Sequence, residues 1–413
     1  MWLLGKALSR LVERGTLTVT DHRGGVHRFG TSDPAFPDVA IRFTDARTAF
    51  DILRDPALGA AETFMDGRLL FDRGDILDLI LLAQSNHPWE NDRVIQPPGR
   101  LRPLWQKIHR HINQFNLPGR SRRNVAHHYD LNGGLYALFL DADRQYSCAY
   151  HGQPDMTLEA AQEAKKAHIA AKLALAPGQK VLDIGCGWGG MALYLNRHYG
   201  VDVTGVTLST EQLAVARQRA EEAGVADKVR FELIDYRALN RTGSDRFDRI
   251  VSVGMFEHVG APHFSEFFRQ CRNLLTPDGV MLLHTIGRTD GPNVTDAFTR
   301  KYIFPGGYIP ALSEVMAAAE PNSLMVSDVE ILRLHYARTL RHWYDRTVAN
   351  KDAIEGLYDA RFYRMWTFYL AGAISGFEYK ALVNFQLQFV RNRHTLPITR
   401  DYMLEEERRL GSG

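Results

Sequence analysis

The most distinctive segment of the sequence is VLDIGCGWGG, residues 181–190, in which glycines directly follow an apolar run. Glycines after a buried strand let the backbone approach a ligand closely and let the next helix begin nearby. A dinucleotide site places its ribose-binding acid about 20 residues beyond such glycines, whereas here Asp183 precedes Gly185 and Gly187. A negative charge at that position repels phosphate and favours a cation. The pattern therefore predicts binding of S-adenosylmethionine, which carries an ammonium and a sulfonium, in preference to NAD.

Polar side chains also follow the next two predicted strands. Thr207, Leu208 and Gln212 stand where many methyltransferases carry a ribose-binding carboxylate, and no such acid is present. The Thr207 hydroxyl and the Gln212 amide can hydrogen-bond ribose hydroxyls instead. Helix capping is an equal alternative, because Ser209 and Gln212 resemble a capping box. The residues after the third strand that could frame the adenine are Asp235, Tyr236 and Arg237.

These residues need a parallel sheet to bring them together, and the second half of the sequence predicts one. From about residue 158, near-continuous apolar strands alternate with helical patterns, from KVLDIG to VMLLHTIG. Such strands are typical of a sheet covered by helices on both faces. We therefore predict an α/β fold, a doubly wound Rossmann-like methyltransferase sheet, with an antiparallel edge strand supplied by the C-terminal part that includes ALVNFQLQFV.

The N-terminal region has a different pattern, which predicts a small α+β domain. The segments LTVT and VAIRF alternate as strands do, and helical patterns follow at about 46–55 and 75–86. Residues 2–14 add an amphipathic helix that either packs on its own domain or lies on a membrane.

Three parts of the chain follow from these patterns. Residues 1–92 form a mixed α/β domain for docking or lipid interaction, residues 93–126 a basic linker, and residues 127–413 the methyltransferase domain. An insertion at about 287–326 interrupts the strand and helix rhythm. Insertions of this length beside the carboxyl edge of a sheet are commonly lids or binding walls, so we expect a lipid-binding cover.

Composition excludes several classes of protein. The chain has 413 residues, 45% hydrophobic and 24% charged, with a formal net charge of +2, as is typical of globular proteins and not of disordered ones. No apolar run reaches the roughly 18 residues that cross a bilayer, and no signal peptide is visible, so we expect a cytoplasmic protein. The three cysteines cannot all pair and show no metal-ligand spacing, so no metal site is expected.

The stretch from residue 93 to 129 is locally basic, with eight Arg or Lys residues and four histidines but no Asp or Glu. Such a stretch can contact nucleic acid, anionic lipid headgroups or only solvent. No helix-turn-helix or zinc-finger signature accompanies it, so we expect no nucleic-acid partner. His127 and His128 lack ligand partners at a recognisable spacing.

Taken in order, the motifs are similar to those of the cyclopropane fatty acid synthases, S-adenosylmethionine-dependent enzymes that act on lipid double bonds. The similarity covers roughly residues 127–380. The glycine motif is common to many methyltransferases, whereas the ordered set is specific to this family. The matching segments are HHYDLN (127–132), FLDADRQYSCAY (139–150), VLDIGCGWGG (181–190), GVTLSTEQ (205–212), VGMFEHVG (253–260), YIFPGGYIP (302–310) and HYARTL (335–340).

The resemblance implies how an added methyl group becomes part of a ring. An alkene attacks the sulfonium methyl, a carbocation forms, and a base must then remove a proton so that the ring can close. In the family this base is a bound bicarbonate. Carried over by motif, Cys148 and Ile286 contribute main-chain donors to it, and Glu257, His284 and Tyr336 contribute side chains.

The same resemblance places Tyr146 and Ser147 against the methionine half of the cofactor. Glu257 follows one parallel strand and His284 ends the next, at the edge where open α/β sheets bind ligands. Each residue alone has an ordinary alternative. Glu257 can be a helix N-terminal acid, His284 a core histidine, and Tyr336 a packing residue.

The implied reaction is methylene transfer to a cis double bond of an unsaturated phospholipid acyl chain in the membrane surface. Methylation of the same alkene without ring closure is one alternative, and a lipid-binding protein with a vestigial cofactor fold is another. The resemblance also implies a peripheral position on the inner face of the membrane and is compatible with a homodimer. Ala373 stands where several members of the family have a cysteine, so either that sulfur is dispensable or the acyl-chain preference differs. Aromatic candidates for stabilising the cation are Phe256, Tyr302 and Phe304.

Overall fold

The computed structural model describes residues 1–91, 133–239 and 246–411 of the chain. These residues form two compact units, which alternate along the sequence. One unit contains the described residues of Met1–Arg100 together with Asp296–Pro305 and Leu340–Leu382, and the other contains the described residues of Leu101–Thr295, Gly306–Thr339 and Val383–Gly413.

The N-terminal region forms a four-stranded sheet with helices packed on it. Its elements in chain order are α1 (Trp2–Leu11), β1 (Thr16–Thr20), β2 (Val26–Phe29), β3 (Asp38–Phe43), α2 (Arg47–Arg54), α3 (Pro56–Met65), β4 (Leu69–Arg73) and α4 (Ile76–Ser85). The strand order is β2-β1-β3-β4, with β1 parallel to β3 and the other pairs antiparallel. The predicted strands LTVT and VAIRF lie in β1 and β3, which confirms the α+β pattern. Helix α1 buries Leu4 and exposes Trp2.

The remaining elements belong mostly to a larger α/β layer structure. In chain order they are α5 (Gly133–Phe139), α6 (Leu158–Leu173), β5 (Lys180–Ile184), α7 (Gly190–Tyr199), β6 (Asp202–Thr207), α8 (Thr210–Glu222), β7 (Val229–Leu233), β8 (Phe247–Val253), α9 (Phe264–Leu274), β9 (Leu275–Arg288), α10 (Leu312–Ala319), β10 (Met325–Leu332), α11 (His335–Ala349), α12 (Lys351–Leu357), α13 (Ala360–Tyr379), β11 (Leu382–Val390) and α14 (Asp401–Gly411).

The seven-stranded sheet has the order β10-β11-β9-β8-β5-β6-β7. Strands β5 to β9 pair in parallel with one another, and β10 pairs antiparallel with β11. The predicted doubly wound, Rossmann-like sheet with an antiparallel edge is confirmed. The edge strand is β10, however, and the segment ALVNFQLQFV forms β11, which lies one position inside. Its residues from Val383 to Val390 are buried, which explains why it occupies an inner position.

Side chains of β5 alternate between two apolar cores. Leu182 and Ile184 pack in a cluster with Phe268 of α9, whereas Val181 packs in another with Leu195 of α7. A strand that is buried on both faces sends successive side chains into opposite layers. The carboxyl end of β5 is therefore held from both sides, and the glycine turn that follows begins from a fixed point.

The two units divide the chain differently from the predicted domains. Residues 296–305 and 340–382 are predicted to belong to the methyltransferase domain, yet they share a unit with the N-terminal region. Apolar packing explains the difference, because side chains of α13 join a cluster with α3. Its members are Ala61, Met65, Phe298 and Ile303, with the partly buried Met365, Phe368 and Tyr369 packed against them.

Two further expectations concern membranes and the basic stretch. Within the described ranges, no helix combines the length and the apolar character that crossing a membrane requires. The predicted linker at 93–126, with His127 and His128 beyond it, lies outside the residues that the structure describes.

Candidate functional site

The backbone turns sharply where β5 ends. Gly185 has a φ of +83° and Gly187 a φ of +54°, in the region that favours glycine. A Cβ atom on Gly185 would lie 2.7 Å from the Cβ of Met255, so no side chain fits there. The N–H of Gly185 donates to the carbonyl of Val206 at 2.9 Å, which ties the turn to β6. The turn therefore exposes a backbone edge to the space beside it.

That space is a cavity of about 150 Å³ at the carboxyl edge of the sheet. The structure brings all ten residues predicted for cofactor binding into its wall, although they come from four separate segments of the sequence. These residues are Tyr146, Ser147, Asp183, Gly185, Gly187, Thr207, Leu208, Gln212, Tyr236 and Arg237.

Several other residues of the cavity wall carry no cofactor-binding prediction from the sequence, among them Arg144, Gln145, Met255 and His258. Arg144 has a φ of +56°, a conformation that its residue type does not indicate. Met255 and His258 follow β8, so the end of a fourth parallel strand was the available signal. Burial lowers the pKa of His258 to about 4, so this ring is neutral at pH 7.

Asp183 contributes a buried carboxylate to the cavity wall. Burial raises its pKa to about 7, and the charge of Lys165 opposes the rise. Its Oδ2 atom accepts no hydrogen bond from any described residue. A buried acceptor without a partner costs about 1–3 kcal/mol. The arrangement suits a ligand that brings a cationic or hydrogen-bond-donating group to this oxygen.

Lys165 lies buried beneath the loop that precedes Cys148. Its Nζ donates to Gln145 Oε1 at 2.5 Å and to Ser147 Oγ at 2.9 Å. Burial lowers the pKa of Lys165 to about 8. These two hydrogen bonds hold the loop, which also carries Tyr146, in the wall of the cavity.

Some of the residues predicted to bind the ribose and the adenine already form hydrogen bonds with nearby residues of the chain. The Thr207 hydroxyl donates to Gln212 Oε1 at 3.1 Å, and the N–H of Gln212 donates to Ser209 Oγ at 3.3 Å. Ser209 therefore caps the helix as the alternative predicted, and Thr207 and Gln212 nevertheless lie in the cavity wall. Arg237 forms a two-pronged ion pair with Asp235 at 2.9 and 2.6 Å, so its charge is compensated within the same turn.

Glu257 lies in the short turn Phe256–His258 that follows β8. Its Oε1 accepts the N–H of Ile286 at 2.6 Å, so the structure brings together two of the residues predicted for catalysis. Its Oε2 atom is buried and accepts no hydrogen bond from the described part of the chain. Burial raises the pKa of Glu257 to about 7, against the effect of the Ile286 N–H. The carboxyl group therefore changes protonation near neutral pH.

His284 is buried on the same strand as Ile286, with its ring against β11. Its Nε2 lies 3.2 Å from Asn384 Nδ2, and its Nδ1 lies 3.1 Å from Gln386 Nε2. Burial holds the pKa of His284 well below its usual range, so the ring is neutral. Both ring nitrogens thus have neighbours within the protein.

Cys148 and Tyr336 lie on two segments that hydrogen bonding joins. The N–H of Ala149 donates to Thr339 Oγ1 at 3.1 Å, which ties the Cys148 loop to the first turns of α11. Both Cys148 and Tyr336 are buried. Burial raises the pKa of the Cys148 thiol, which keeps the sulfur protonated and a poor nucleophile.

The three aromatic candidates for stabilising a cation belong to two different units. Phe256 packs in the core, with its ring stacked on Phe264 at 4.2 Å. Tyr302 and Phe304 belong to the unit that contains the N-terminal region, and the Tyr302 hydroxyl donates to Glu62 at 2.9 Å. Packing therefore accounts for Phe256.

Comparison with known proteins relates this geometry to a family. A family model described as mycolic acid cyclopropane synthetase matches residues 118–387. The chain is 39% identical over 342 residues to the cyclopropane-fatty-acyl-phospholipid synthase of Escherichia coli K12, covering 82% of this chain and 85% of that protein. It is 33% identical over 384 residues to a tuberculostearic acid methyltransferase of Mycobacterium tuberculosis, covering 88% and 85% respectively. A crystal structure of mycolic acid cyclopropane synthase complexed with SAH and CTAB has a TM-score of 0.61 and 35% identity, covering 65% of this chain and 98% of that one.

Replacing Gly185 tests the glycine turn. In Gly185→Ala the new Cβ collides with Met255, and the positive φ strains the backbone by about 1–3 kcal/mol. We expect S-adenosylmethionine to bind about tenfold more weakly or worse in calorimetry. Gly200→Ala is the control, because Gly200 also has a positive φ, of +65°, but an open surrounding. Equal affinity in Gly185→Ala and wild type would contradict the role of the turn.

The raised pKa of Glu257 predicts a pH-dependent stability. The folded chain holds the proton up to about pH 7, whereas the unfolded chain releases it near the ordinary value of 4.5. The stability from this proton is present below pH 4.5 and is lost as the pH rises through 7. Between pH 4.5 and 8, wild type should therefore lose about 1–3 kcal/mol relative to Glu257→Gln in urea unfolding. Glu266→Gln, at a partly exposed position, should show no such difference.

Proposed function

Because the chain belongs to the mycolic acid cyclopropane synthetase family, we propose that it transfers a methylene group to a cis double bond of an unsaturated phospholipid acyl chain. It is an S-adenosylmethionine-dependent methyltransferase of the cyclopropane-fatty-acyl-phospholipid synthase type. The observation that carries the ring-forming step is the buried Glu257 carboxyl with its unpartnered oxygen. It lies in the sequence between Met255 and His258, which both line the cavity.

The residues of the cavity fit S-adenosylmethionine, which supplies an electrophilic methyl group when bound. The unpartnered Oδ2 of Asp183 can accept a hydrogen bond from its ammonium. Tyr146 and Ser147 would hold the methionine half, and Thr207 and Gln212 the ribose. The SAH in the similar crystal structure supports this choice of cofactor.

A bicarbonate ion, when bound, would supply the base that takes a proton from the added methyl. Glu257 fits this role for two reasons: its Oε2 lacks a partner, and its pKa of about 7 lets the group donate an O–H at neutral pH. The N–H of Ile286 already donates to Glu257, so an anion there has to share this donor. Cys148, His284 and Tyr336 are the other residues that we propose around it.

The neighbouring residues would protect the reaction from competing chemistry. Cys148 is held protonated by burial, so its sulfur does not intercept the methyl group. His284 is held neutral, so it can donate a hydrogen bond without delivering a full positive charge beside a developing carbocation. Because the acyl chain is part of a bilayer, turnover requires contact with the membrane surface, and we propose that the protein works there as a peripheral enzyme on its inner face.

A second function is favoured by one observation, the similarity to a tuberculostearic acid methyltransferase. In this alternative the same alkene is methylated, but the proton leaves from elsewhere and no ring closes. The two reactions share the cofactor and the carbocation. They differ in the position of the base and therefore in which proton it removes.

Labelling distinguishes the two functions. The full chain is incubated with vesicles of a cis-monounsaturated phospholipid and methyl-¹³C S-adenosylmethionine, and the lipids are extracted. We expect label in the organic phase, the mass gain of one CH₂ for each converted double bond, and cyclopropane methylene protons in the NMR spectrum. Vesicles of the fully saturated lipid are the control. Label in a branched or methylene-bearing chain would favour the second function, and unlabelled lipid would contradict both.

The anion site has its own test in Glu257→Gln. Because Gln cannot exchange a proton, turnover should fall by about 100-fold or more, while the affinity for S-adenosylmethionine stays within about twofold. Turnover of wild type should rise with added bicarbonate, and that of the variant should not. A large loss of cofactor affinity in the variant would show that Glu257 belongs to the cofactor site. Glu266→Gln again serves as the matched control.

A further inference from the structure

A chain of buried polar side chains connects His284 to the C-terminal helix α14. Its members lie on five elements, and the functions described so far use only the first of them. They are His284 on β9, Gln386 on β11, Lys172 and His168 on α6, Glu330 on β10 and Glu407 on α14.

The orientation of Gln386 is determined by Lys172. The Nζ of Lys172 donates to Gln386 Oε1 at 2.7 Å, so the amide nitrogen of Gln386 is the end that faces His284 Nδ1, at 3.1 Å. An amide NH₂ group only donates, so Nδ1 must accept and carries no proton. Because the ring is neutral, its proton is on Nε2.

The position of Asn384 is consistent with the same tautomer of His284, in which Nε2 carries the proton. As placed, its Nδ2 lies 3.2 Å from Nε2, and its Oδ1 is buried without a partner. Two donors cannot bond to each other. Turning the amide by half a rotation leaves its shape almost unchanged and puts Oδ1 opposite the Nε2–H, which satisfies both groups.

Alternating charges hold Lys172 in place behind Gln386. Lys172 also donates to Glu330, whose Oε2 lies 2.6 Å from His168 Nε2. The other ring nitrogen of His168 lies 2.6 Å from Glu407 Oε1. Only an imidazolium can donate at both nitrogens, so two cations alternate with two carboxylates in the order Lys172, Glu330, His168, Glu407. Burial opposes the charge of Glu330, but His168 and Lys172 lower its pKa to about 2.

The same cluster contacts two further segments of the proposed anion site. The ring of Tyr150 stacks between those of His168, at 4.1 Å, and His335, at 4.9 Å. Tyr150 follows Cys148 by two residues, and His335 directly precedes Tyr336. The cluster therefore contacts His284 directly and the segments that carry Cys148 and Tyr336 through Tyr150 and His335.

We propose that Gln386 is a positioning residue that holds His284 in its Nε2–H tautomer, and that Lys172 fixes the amide that does so. The proposal rests on the proposed function, in which His284 donates to an anion. With Nδ1 committed to Gln386, Nε2 is the one ring atom that carries a proton, and a bound anion would accept from it in place of Asn384 Oδ1. The opposite tautomer would present a lone pair to the anion, and the two would repel each other.

The substitution Gln386→Glu should favour the opposite tautomer of His284. A carboxylate has nearly the same shape as the amide and can pair with Lys172, but it only accepts, so the proton of His284 must move to Nδ1. The measurement is ¹⁵N NMR of the full chain labelled at its histidine side chains, with the His284 signals assigned by their loss in His284→Gln. We expect an unprotonated Nδ1 in wild type and a protonated Nδ1 in Gln386→Glu. The same His284 signature in both proteins would overturn the proposal.

Gln388→Glu is the matched control on the same strand. Gln388 is equally buried, but its amide donates to the carbonyl of Lys172 at 2.5 Å and to the Tyr402 hydroxyl at 2.8 Å. Its substitution should cost stability and leave the His284 tautomer unchanged. If Gln386→Glu does not fold, Gln386→Met replaces it: this side chain has no donor, and His284 should then show a mixture of tautomers. A single Nε2–H form in Gln386→Met would also overturn the proposal.

Kinetics separate this proposal from the function on which it rests. Loss of a supporting hydrogen-bond partner should lower kcat of Gln386→Glu by about 10- to 100-fold, with the KM for S-adenosylmethionine unchanged. If wild type makes no cyclopropane or does not respond to bicarbonate, the proposed function fails, although the NMR result on the tautomer still stands. If wild type responds to bicarbonate and Gln386→Glu keeps full turnover despite a changed tautomer, the positioning role fails alone.

Discussion

Ionisable side chains buried at the carboxyl edge of the seven-stranded sheet each require a partner, and the layout of the site follows from that requirement. Removing a charge from water without a partner is costly, so such groups either change protonation or draw partners to themselves. Lys165 donates hydrogen bonds to Gln145 and Ser147, and Glu257 accepts one from the N–H of Ile286. Segments that are distant in sequence are thereby held at one edge of the sheet.

The requirement is not met completely, and two of the exceptions belong to the proposed cofactor and anion sites. Asp183 and Glu257 each keep one buried oxygen without a hydrogen bond from the described residues. Native proteins leave few buried polar atoms unpartnered, and ligands are a common reason for those that remain. Burial also raises the pKa of both carboxyl groups to about 7, so a bound cation or anion can change their protonation. Ligand binding at these two carboxyl groups can therefore offset the free-energy cost of burying their oxygens without partners.

The residues proposed to bind the cofactor could be predicted largely from their positions at the ends of strands. They lie at or just beyond the carboxyl ends of three different strands, and the structure places all of them in one cavity wall: Asp183 and Gly185 at β5, Thr207 at β6 and Tyr236 after β7. The carboxyl ends of parallel strands meet at one edge of the sheet, so residues at these ends come together. Arg144 is different, because its place in the wall depends on a positive φ that no local pattern indicates.

The sequence by itself determined the α/β class, the glycine turn and the residues that meet at the sheet edge, because strand periodicity and glycine conformation are local properties. The tertiary structure alone decided that β11 lies between β9 and β10, and that Asn384 and Gln386 therefore flank His284 from about a hundred residues further along the chain. It also decided which carboxyl oxygens are left without partners. These features depend on which surfaces are buried against each other, and a local pattern does not contain that information.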